Sequence, residues 1–119
     1  MVVVEDALEV EVATVRRCSD GIIEIIIKQG ARIQEAEILE VLDAQTKLTN
    51  MVVAVMVDAR GAAEMSRRAQ ERTANNPVND VTAATAILVG NPVSTFLGNF
   101  FLRFARPPYP TRLFRDADE

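Results

Sequence analysis

The stretch Ala83–Phe104 constrains the fold most, because it joins a strand-like apolar run to a tight turn and an amphipathic helix. Asn91 and Pro92 predict the helix start, since asparagine accepts a hydrogen bond from a first-turn amide and proline suits the first helical position. The apolar residues of this helix recur at three- and four-residue spacing; they are Val93, Phe96, Leu97, Phe100, Phe101 and Phe104. This spacing predicts one helical face whose aromatic rings are buried in a common core.

The beginning of the chain predicts an antiparallel hairpin. Leu8–Val15 and Ile22–Lys28 both alternate apolar with polar residues, and the Ser19-Asp20-Gly21 stretch between them has the composition of a turn. The charged residues expected on the outer face of this hairpin are Glu9, Glu11, Glu24 and Lys28. That face should therefore tolerate water.

After the hairpin, helical and strand patterns alternate. Helical periodicity predicts helices over about Gln34–Thr49 and Ser66–Thr73, and the apolar run Met51–Val57 predicts a central strand. Val81–Val89 is the next predicted strand, and Thr111–Phe114 is a short last one. A hairpin followed by strand–helix units implies an α/β fold with an open, mainly parallel sheet and right-handed crossovers.

Composition excludes several classes of function. The chain has 119 residues, a formal net charge of −4, no histidine and a single cysteine, Cys18. Histidine metal ligands, Ser/His/Asp triads and an internal disulfide are therefore excluded, and a net acidic chain is a poor partner for nucleic acid. No apolar run approaches the ~20 residues of a membrane-spanning helix. We expect a cytoplasmic protein with no integral membrane segment.

Two longer stretches, Met51–Gly61 and Ala86–Asp116, resemble a group of uncharacterised bacterial STAS-like proteins, relatives of the anti-sigma-factor antagonists. The residues that carry the resemblance are Val89-Gly90-Asn91-Pro92-Val93, Gly98-Asn99-Phe100-Phe101-Leu102 and Pro107-Pro108-Tyr109-Pro110-Thr111-Arg112-Leu113-Phe114. The resemblance implies successive strand–helix units with the helices laid largely on one face of the sheet. The same wound arrangement is found in CRAL-TRIO lipid carriers.

The resemblance also has departures. In the antagonists, the helix after the second parallel strand begins with an Asp-Ser-Ser/Thr-Gly stretch whose hydroxyl is phosphorylated. The matching segment here is Met65–Ala69, in which only Ser66 has a hydroxyl and no glycine follows. The family continues after its last strand into an amphipathic helix, whereas this sequence stops where such a helix would begin. We therefore expect one domain over residues 1–119, with no phospho-serine switch and no closing helix.

Seven residues are candidates for a ligand site, because open α/β sheets bind ligands outside the carboxyl ends of their strands. They are Asp58, Arg60, Ser66, Arg67, Asn91, Ser94 and Thr95. Helix N-termini and arginines at this edge suit a phosphate or carboxylate. The alternative is structural, with Ser66 and Asn91 as helix caps and the arginines as solvated side chains.

No pattern predicts a catalytic group, a metal site or a cofactor. Asp58 has no acid–base partner placed by a motif, and Glu35, Glu37 and Glu40 are more simply a wet helical face than cation ligands. The sequence therefore favours a non-enzymatic module that binds a protein partner, with a second copy as that partner. A homodimer is expected because Met51–Val57 is apolar on both faces and one face lacks a predicted helix. The alternative is a carrier of a small ligand or lipid with an interior lined by phenylalanine; an enzyme comes third.

Overall fold

The computed structural model of the protein describes residues 7–49, 51–74, 82–100 and 110–115. These residues form eight strands and three helices. In chain order they are β1 (Ala7–Glu9), β2 (Ala13–Arg17), β3 (Ile23–Ile27), β4 (Ala31–Ile33), α1 (Glu35–Leu48), β5 (Val53–Asp58), β6 (Ala62–Met65), α2 (Arg67–Ala74), β7 (Thr82–Leu88), α3 (Pro92–Phe100) and β8 (Thr111–Phe114).

Six strands form the main sheet, in the order β1-β2-β3-β5-β7-β8. The first three strands are antiparallel, and β3, β5, β7 and β8 run parallel to one another. The predicted turn between β2 and β3 is present: Gly21 has a φ of 88°, and its amide donates to the Cys18 carbonyl at 2.9 Å. The predicted α/β fold, a hairpin followed by strand–helix units in a mainly parallel sheet, is confirmed.

The three described helices lie on one face of the main sheet. Every parallel connection steps in the same direction along the strand order, so right-handed crossovers place all their helices on the same side. Ile23, Ile25 and Ile27 point to that side and are buried against α1. We call it the helix face. The opposite face, here called the open face, carries Thr14, Arg16, Glu24, Ile26, Ala54, Met56, Asp58, Ala84, Ala86, Leu88, Arg112 and Phe114.

Helix α1 matches its predicted bounds and supplies much of the core. Its start is stabilised by the Glu37 carboxylate, which accepts a hydrogen bond from the Gln34 amide at 2.8 Å. Its last turn closes with the Thr49 amide donating to the Gln45 carbonyl at 3.3 Å. The residues buried on its inner side are Ile38, Val41, Leu42, Ala44, Gln45 and Leu48. Gln45 is the one polar residue in this set.

The prediction of a single strand over Leu8–Val15 is wrong. The chain bends after Glu9, the Val10 amide donates to the Ala13 carbonyl at 2.9 Å, and β1 folds back along β2. Regular alternation concealed this bend, because a tight turn between two short strands can keep the same apolar and polar order.

The bend also changes the outer face of the hairpin. Glu11 was expected there, but it lies instead beside Glu37 and Glu40 of α1. Glu9 and Lys28 keep their predicted positions and lie 3.4 Å apart. The pKa of Glu9 is lowered, first because the Thr14 hydroxyl donates a hydrogen bond to its carboxylate, and then because of the charge and hydrogen bond of Lys28.

Strands β4 and β6 were not predicted. They pair in parallel as a separate two-stranded sheet, each immediately before a helix. The Ser66 amide donates to the Ile33 carbonyl at 2.9 Å and extends this pairing to the start of α2. With only three and four residues, these strands are too short for alternation to indicate them.

Helix α3 begins at Pro92 as predicted, but the predicted burial of its aromatic stripe is wrong where it can be judged. Phe96 is 64% exposed and Val93 is also exposed. Ser94 and Gly98, by contrast, are buried against the sheet. A Cβ atom on Gly98 would lie 2.8 Å from Leu113 Cδ2, so the helix approaches the sheet through its small residues. The side chains of Leu97 and Phe100, together with Phe101 and Phe104, lie outside the described part of the structure.

Candidate functional site

Asp58 and Arg60 form a compact ion pair where β5 ends. The Arg60 Nε donates to Asp58 Oδ1 at 3.0 Å, and an Nη2 hydrogen bond to Oδ2 of 2.9 Å makes the contact bidentate. The backbone amide of Arg60 also donates to Oδ1, at 3.1 Å. The hydrogen bonds from Arg60 hold the pKa of Asp58 below its ordinary value, against the opposing effect of partial burial. An ionised, paired carboxylate of this kind is a turn-forming group and a poor general base.

Asn91 connects this turn to the start of α3. Its Nδ2 donates to the Arg60 carbonyl at 2.6 Å, and its Oδ1 accepts the Ser94 amide at 2.7 Å. The Ser94 hydroxyl accepts from the amides of Gly90 at 3.1 Å and Asn91 at 3.2 Å. The structure thus brings four predicted residues, Asp58, Arg60, Asn91 and Ser94, into one network. The backbone amides of Gly90, Asn91 and Ser94 already donate to side chains of this network, so they are not available to bind an anion at the start of α3.

The other three predicted residues lie apart from that network. The Ser66 hydroxyl accepts the Ala69 amide at 3.1 Å and caps α2. Arg67 is highly exposed and lies 3.9 Å from Glu71. Thr95 lines a surface groove that also involves Phe96 and Arg115. Among the described residues, no hydrogen bond or ion pair joins Ser66 or Arg67 to the Asp58–Asn91 group.

Three carboxylates approach one another at the start of α1. Oxygen atoms of Glu11, Glu37 and Glu40 all lie within 4.8 Å of one another. The trio is largely exposed, and Glu37 already accepts the hydrogen bond that caps the helix. Exposed acidic groups of this kind do not by themselves define a cation site. Glu35 is not part of this trio; its carboxylate forms an ion pair with the Arg72 guanidinium at 3.0 Å.

The described residues also line a partly open cavity of about 170 Å³ between the helix face and all three helices. Aliphatic side chains dominate its walls, including Ile25, Ile38, Val55 and Ile87. Polar residues contribute at several points; they are Gln45, Gln70, Thr73, Thr82, Thr85 and Ser94. A cavity with mostly apolar walls and a few polar groups is the usual form of a small-molecule site.

Comparison with known proteins places the chain in a family. Residues 17–119 match the model of DUF7793, described as a domain of unknown function. The chain belongs to the DUF7793 family. None of the curated proteins compared with it matches significantly.

The DUF7793 chain is similar in fold to a solved structure from Shewanella loihica PV-4, an uncharacterised protein of the DUF3478 family with a SpoIIAA-like fold. The TM-score is 0.60, and the alignment covers 93% of this chain and 94% of the other. Sequence identity is only 9%, so the similarity concerns the fold alone. It confirms the STAS-like architecture that the sequence resemblance implied. Among the described residues of the DUF7793 chain, no helix has the length and apolar character needed to span a membrane.

Sequence reasoning about this DUF7793 chain missed Gln45 and Arg115. A signal for Gln45 was available, because it lies three residues after Leu42 and three before Leu48, on the apolar side of a predicted helix. A polar residue at such a position is informative, since buried polar groups are uncommon. Arg115 gave no such signal, because it reaches the groove beside Phe96 only through the pairing of β8 with β7.

Proposed function

We propose that the DUF7793 chain is a non-enzymatic interaction module that pairs with a second copy of itself through the open face. The observation that carries this proposal is Met56, which is 41% exposed although β5 lies in the middle of the sheet. Parallel strands normally have both faces covered, so an accessible apolar side chain at this position favours an external partner.

The chemistry around Met56 suits a flat apolar contact. Ala54, Ala84 and Ala86 surround it on β5 and β7, and such small side chains allow two sheets to approach closely. The charges that border this patch are already engaged: Glu24, the cross-strand neighbour of Met56, pairs with Arg16, and the Arg112 guanidinium lies 5.1 Å from the centre of the Phe114 ring. Asp58, at the end of β5, pairs with Arg60. The open face therefore has a small apolar patch on β5 and β7, bordered by charged groups that are paired within the chain.

The size of the open face sets the expected strength of pairing. Six strands about 4.8 Å apart, each about five residues long, give roughly 400–500 Å² of flat area per copy. Two copies then give roughly 800–1,000 Å², which is below the roughly 1,200–2,000 Å² that stable specific complexes bury and in the range of weak, transient contacts. A two-fold arrangement uses this one surface twice and closes without forming filaments. We therefore expect a reversible dimer that dissociates on dilution.

The test compares two substitutions of equally exposed residues on opposite sides of the molecule. Met56→Lys changes the open face, whereas Leu39→Lys changes the outer side of α1, where Leu39 is 40% exposed. Light scattering over a range of concentrations should show a dimer for the wild type and for Leu39→Lys, and a monomer for Met56→Lys. Circular dichroism verifies that both variants are folded. A wild-type protein that stays monomeric at high micromolar concentration would refute the proposal.

We also propose that serine phosphorylation at the start of α2 does not control this interaction. The capping hydrogen bond from the Ala69 amide gives the Ser66 hydroxyl a structural role, which supports this view. A phosphate there would still be favoured by the helix N-terminus and by Arg67, so the question is experimental. Intact-mass analysis and peptide mapping of protein isolated from its native cell should find Ser66 unmodified. Stoichiometric phospho-Ser66 would contradict the proposal.

Small-ligand binding is a second candidate function, favoured by the cavity between the helix face and the helices. It is compatible with self-association, because the cavity and the open face lie on opposite sides of the sheet. The phenylalanine lining expected for a carrier is absent from the described walls of this cavity.

A further inference from the structure

The cavity has the size of a small aromatic molecule. An apolar cavity of about 150 Å³ holds benzene, whereas pockets for drug-sized ligands occupy about 300–1,000 Å³. The 170 Å³ here therefore suits a compact ligand of roughly six to eight non-hydrogen atoms. A lipid acyl chain of ordinary length would extend beyond this partly open space.

Gln45 supplies a side-chain amide to the otherwise mostly apolar wall of the cavity. It is 4% exposed, lies on the buried side of α1 and lines the cavity. Among the described residues, its side-chain amide has no hydrogen-bond partner. Gln70, which lines the same cavity from α2, differs because its Nε2 donates to the Met65 carbonyl at 3.0 Å. No side-chain nitrogen or oxygen atom of the described residues is both fully buried and without a partner, so the Gln45 amide stays accessible from the cavity, where the polar group of a ligand can hydrogen-bond it.

We propose that the cavity binds a compact, largely apolar molecule that carries one hydrogen-bonding group, and that this group meets the Gln45 amide. The aliphatic walls select the apolar body, and the amide selects an analogue with a hydroxyl or carbonyl over its hydrocarbon counterpart. Water is a poorer occupant, because an ordered water needs two to four polar partners and most of the wall is apolar. This inference rests on the second candidate function and does not depend on self-association.

Phenol and toluene are suitable probes, since both have the same size and only phenol has a hydroxyl. Isoleucine methyl signals report the location of binding: Ile25, Ile27, Ile33, Ile38 and Ile87 line the cavity, whereas Ile26 lies on the open face. Titration of the wild-type protein followed by methyl NMR should shift the cavity signals and leave Ile26 unchanged. Phenol should bind more tightly than toluene. This comparison needs no variant.

Substitution then assigns the polar contact. Gln45→Leu should weaken phenol binding roughly fivefold to tenfold, the value of one hydrogen bond, without weakening toluene binding. Gln70→Leu is the matched control and should leave the preference for phenol over toluene intact.

Absence of any cavity shift with either probe would overturn both the inference and the second candidate function. Toluene binding with no preference for phenol, or a preference abolished by Gln70→Leu instead, would overturn the inference alone. Equal binding of a twelve-carbon fatty acid would overturn the size limit.

Discussion

The helix face and the open face belong to the same strands but are made stable in different ways. On β3, Ile23 is fully buried under α1, while its neighbour Glu24 reaches solvent and pairs with Arg16. On β5, the same alternation places Val55 in the core and Met56 on a face that no described helix covers. The uncovered side of the hairpin is thus mostly polar, whereas Ala54, Met56, Ala84 and Ala86 form an apolar patch on the central strands β5 and β7. This difference is the basis of the proposal that the open face meets a second copy of the chain.

The largest expected effect comes from substituting the same residue type on the two faces of one strand. Ile23→Ala should lower the free energy of unfolding by about 2–5 kcal/mol, because it leaves a cavity in the core. Ile26→Ala should cost about 1 kcal/mol, since Ile26 is only half-buried. Urea unfolding at low micromolar concentration measures both values. Equal losses would mean that the open face is covered within a single chain.

A smaller effect is expected where α3 meets the helix face. Ser94→Ala removes the hydroxyl that accepts from the Gly90 and Asn91 amides, and should cost about 1–3 kcal/mol. Thr95→Ala, one position further and half-buried, should change stability by no more than about 0.5 kcal/mol. Thermal unfolding of the pair provides the measurement. If the Thr95 variant lost more stability than the Ser94 variant, the orientation of α3 described here would be wrong.

The sequence predicted most elements of the fold, because alternation, helical spacing and caps are local signals. Ser66 and Asn91 were identified as caps from residue type, and both hydroxyl and amide make the expected hydrogen bonds. The orientation of α3 was not predictable in this way. Spacing shows which helix residues are apolar, whereas the close approach of Gly98 to Leu113 depends on tertiary packing.

The candidate site was predicted less completely than the fold. Shared strand polarity brought Asp58 near Asn91 as expected, but the bidentate pair with Arg60 and the interior position of Gln45 depend on distances between elements. Ligand binding by the seven candidate residues stays a prediction.

The dependence of stability on acidic pH should show how far the Asp58–Arg60 ion pair is exposed to solvent. The pKa of Asp58 is lowered in the folded protein, so the pair with Arg60 stabilises the fold above the unfolded pKa of about 3.8 and this contribution is lost as pH falls below it. Because both groups are partly exposed, the contribution should not exceed about 1 kcal/mol. Asp58→Asn should remove it, and comparison of unfolding at neutral pH and below pH ~3.8 measures it. If the wild type lost much more stability than this in acid, and Asp58→Asn did not, the ion pair would be shielded from solvent.

The smallest effect is expected for Phe96, which sequence spacing placed in the core. Phe96→Ala should alter the free energy of unfolding by about 0.5 kcal/mol or less, because the ring is largely exposed. Chemical unfolding compares it with the wild type. A decrease in the free energy of unfolding of about 3–5 kcal/mol would mean that Phe96 is buried in the core after all.

The most direct test of the open face as the self-association surface is the oxidation rate of Met56 relative to Met51. Both methionines are exposed, but Met51 precedes β5 and Met56 lies at the centre of the open face. Mass spectrometry after brief peroxide treatment should show the Met56 to Met51 ratio falling several-fold between low and high micromolar protein, because mass action favours the dimer. An unchanged ratio under conditions where light scattering shows a dimer would place the interface elsewhere and contradict the account.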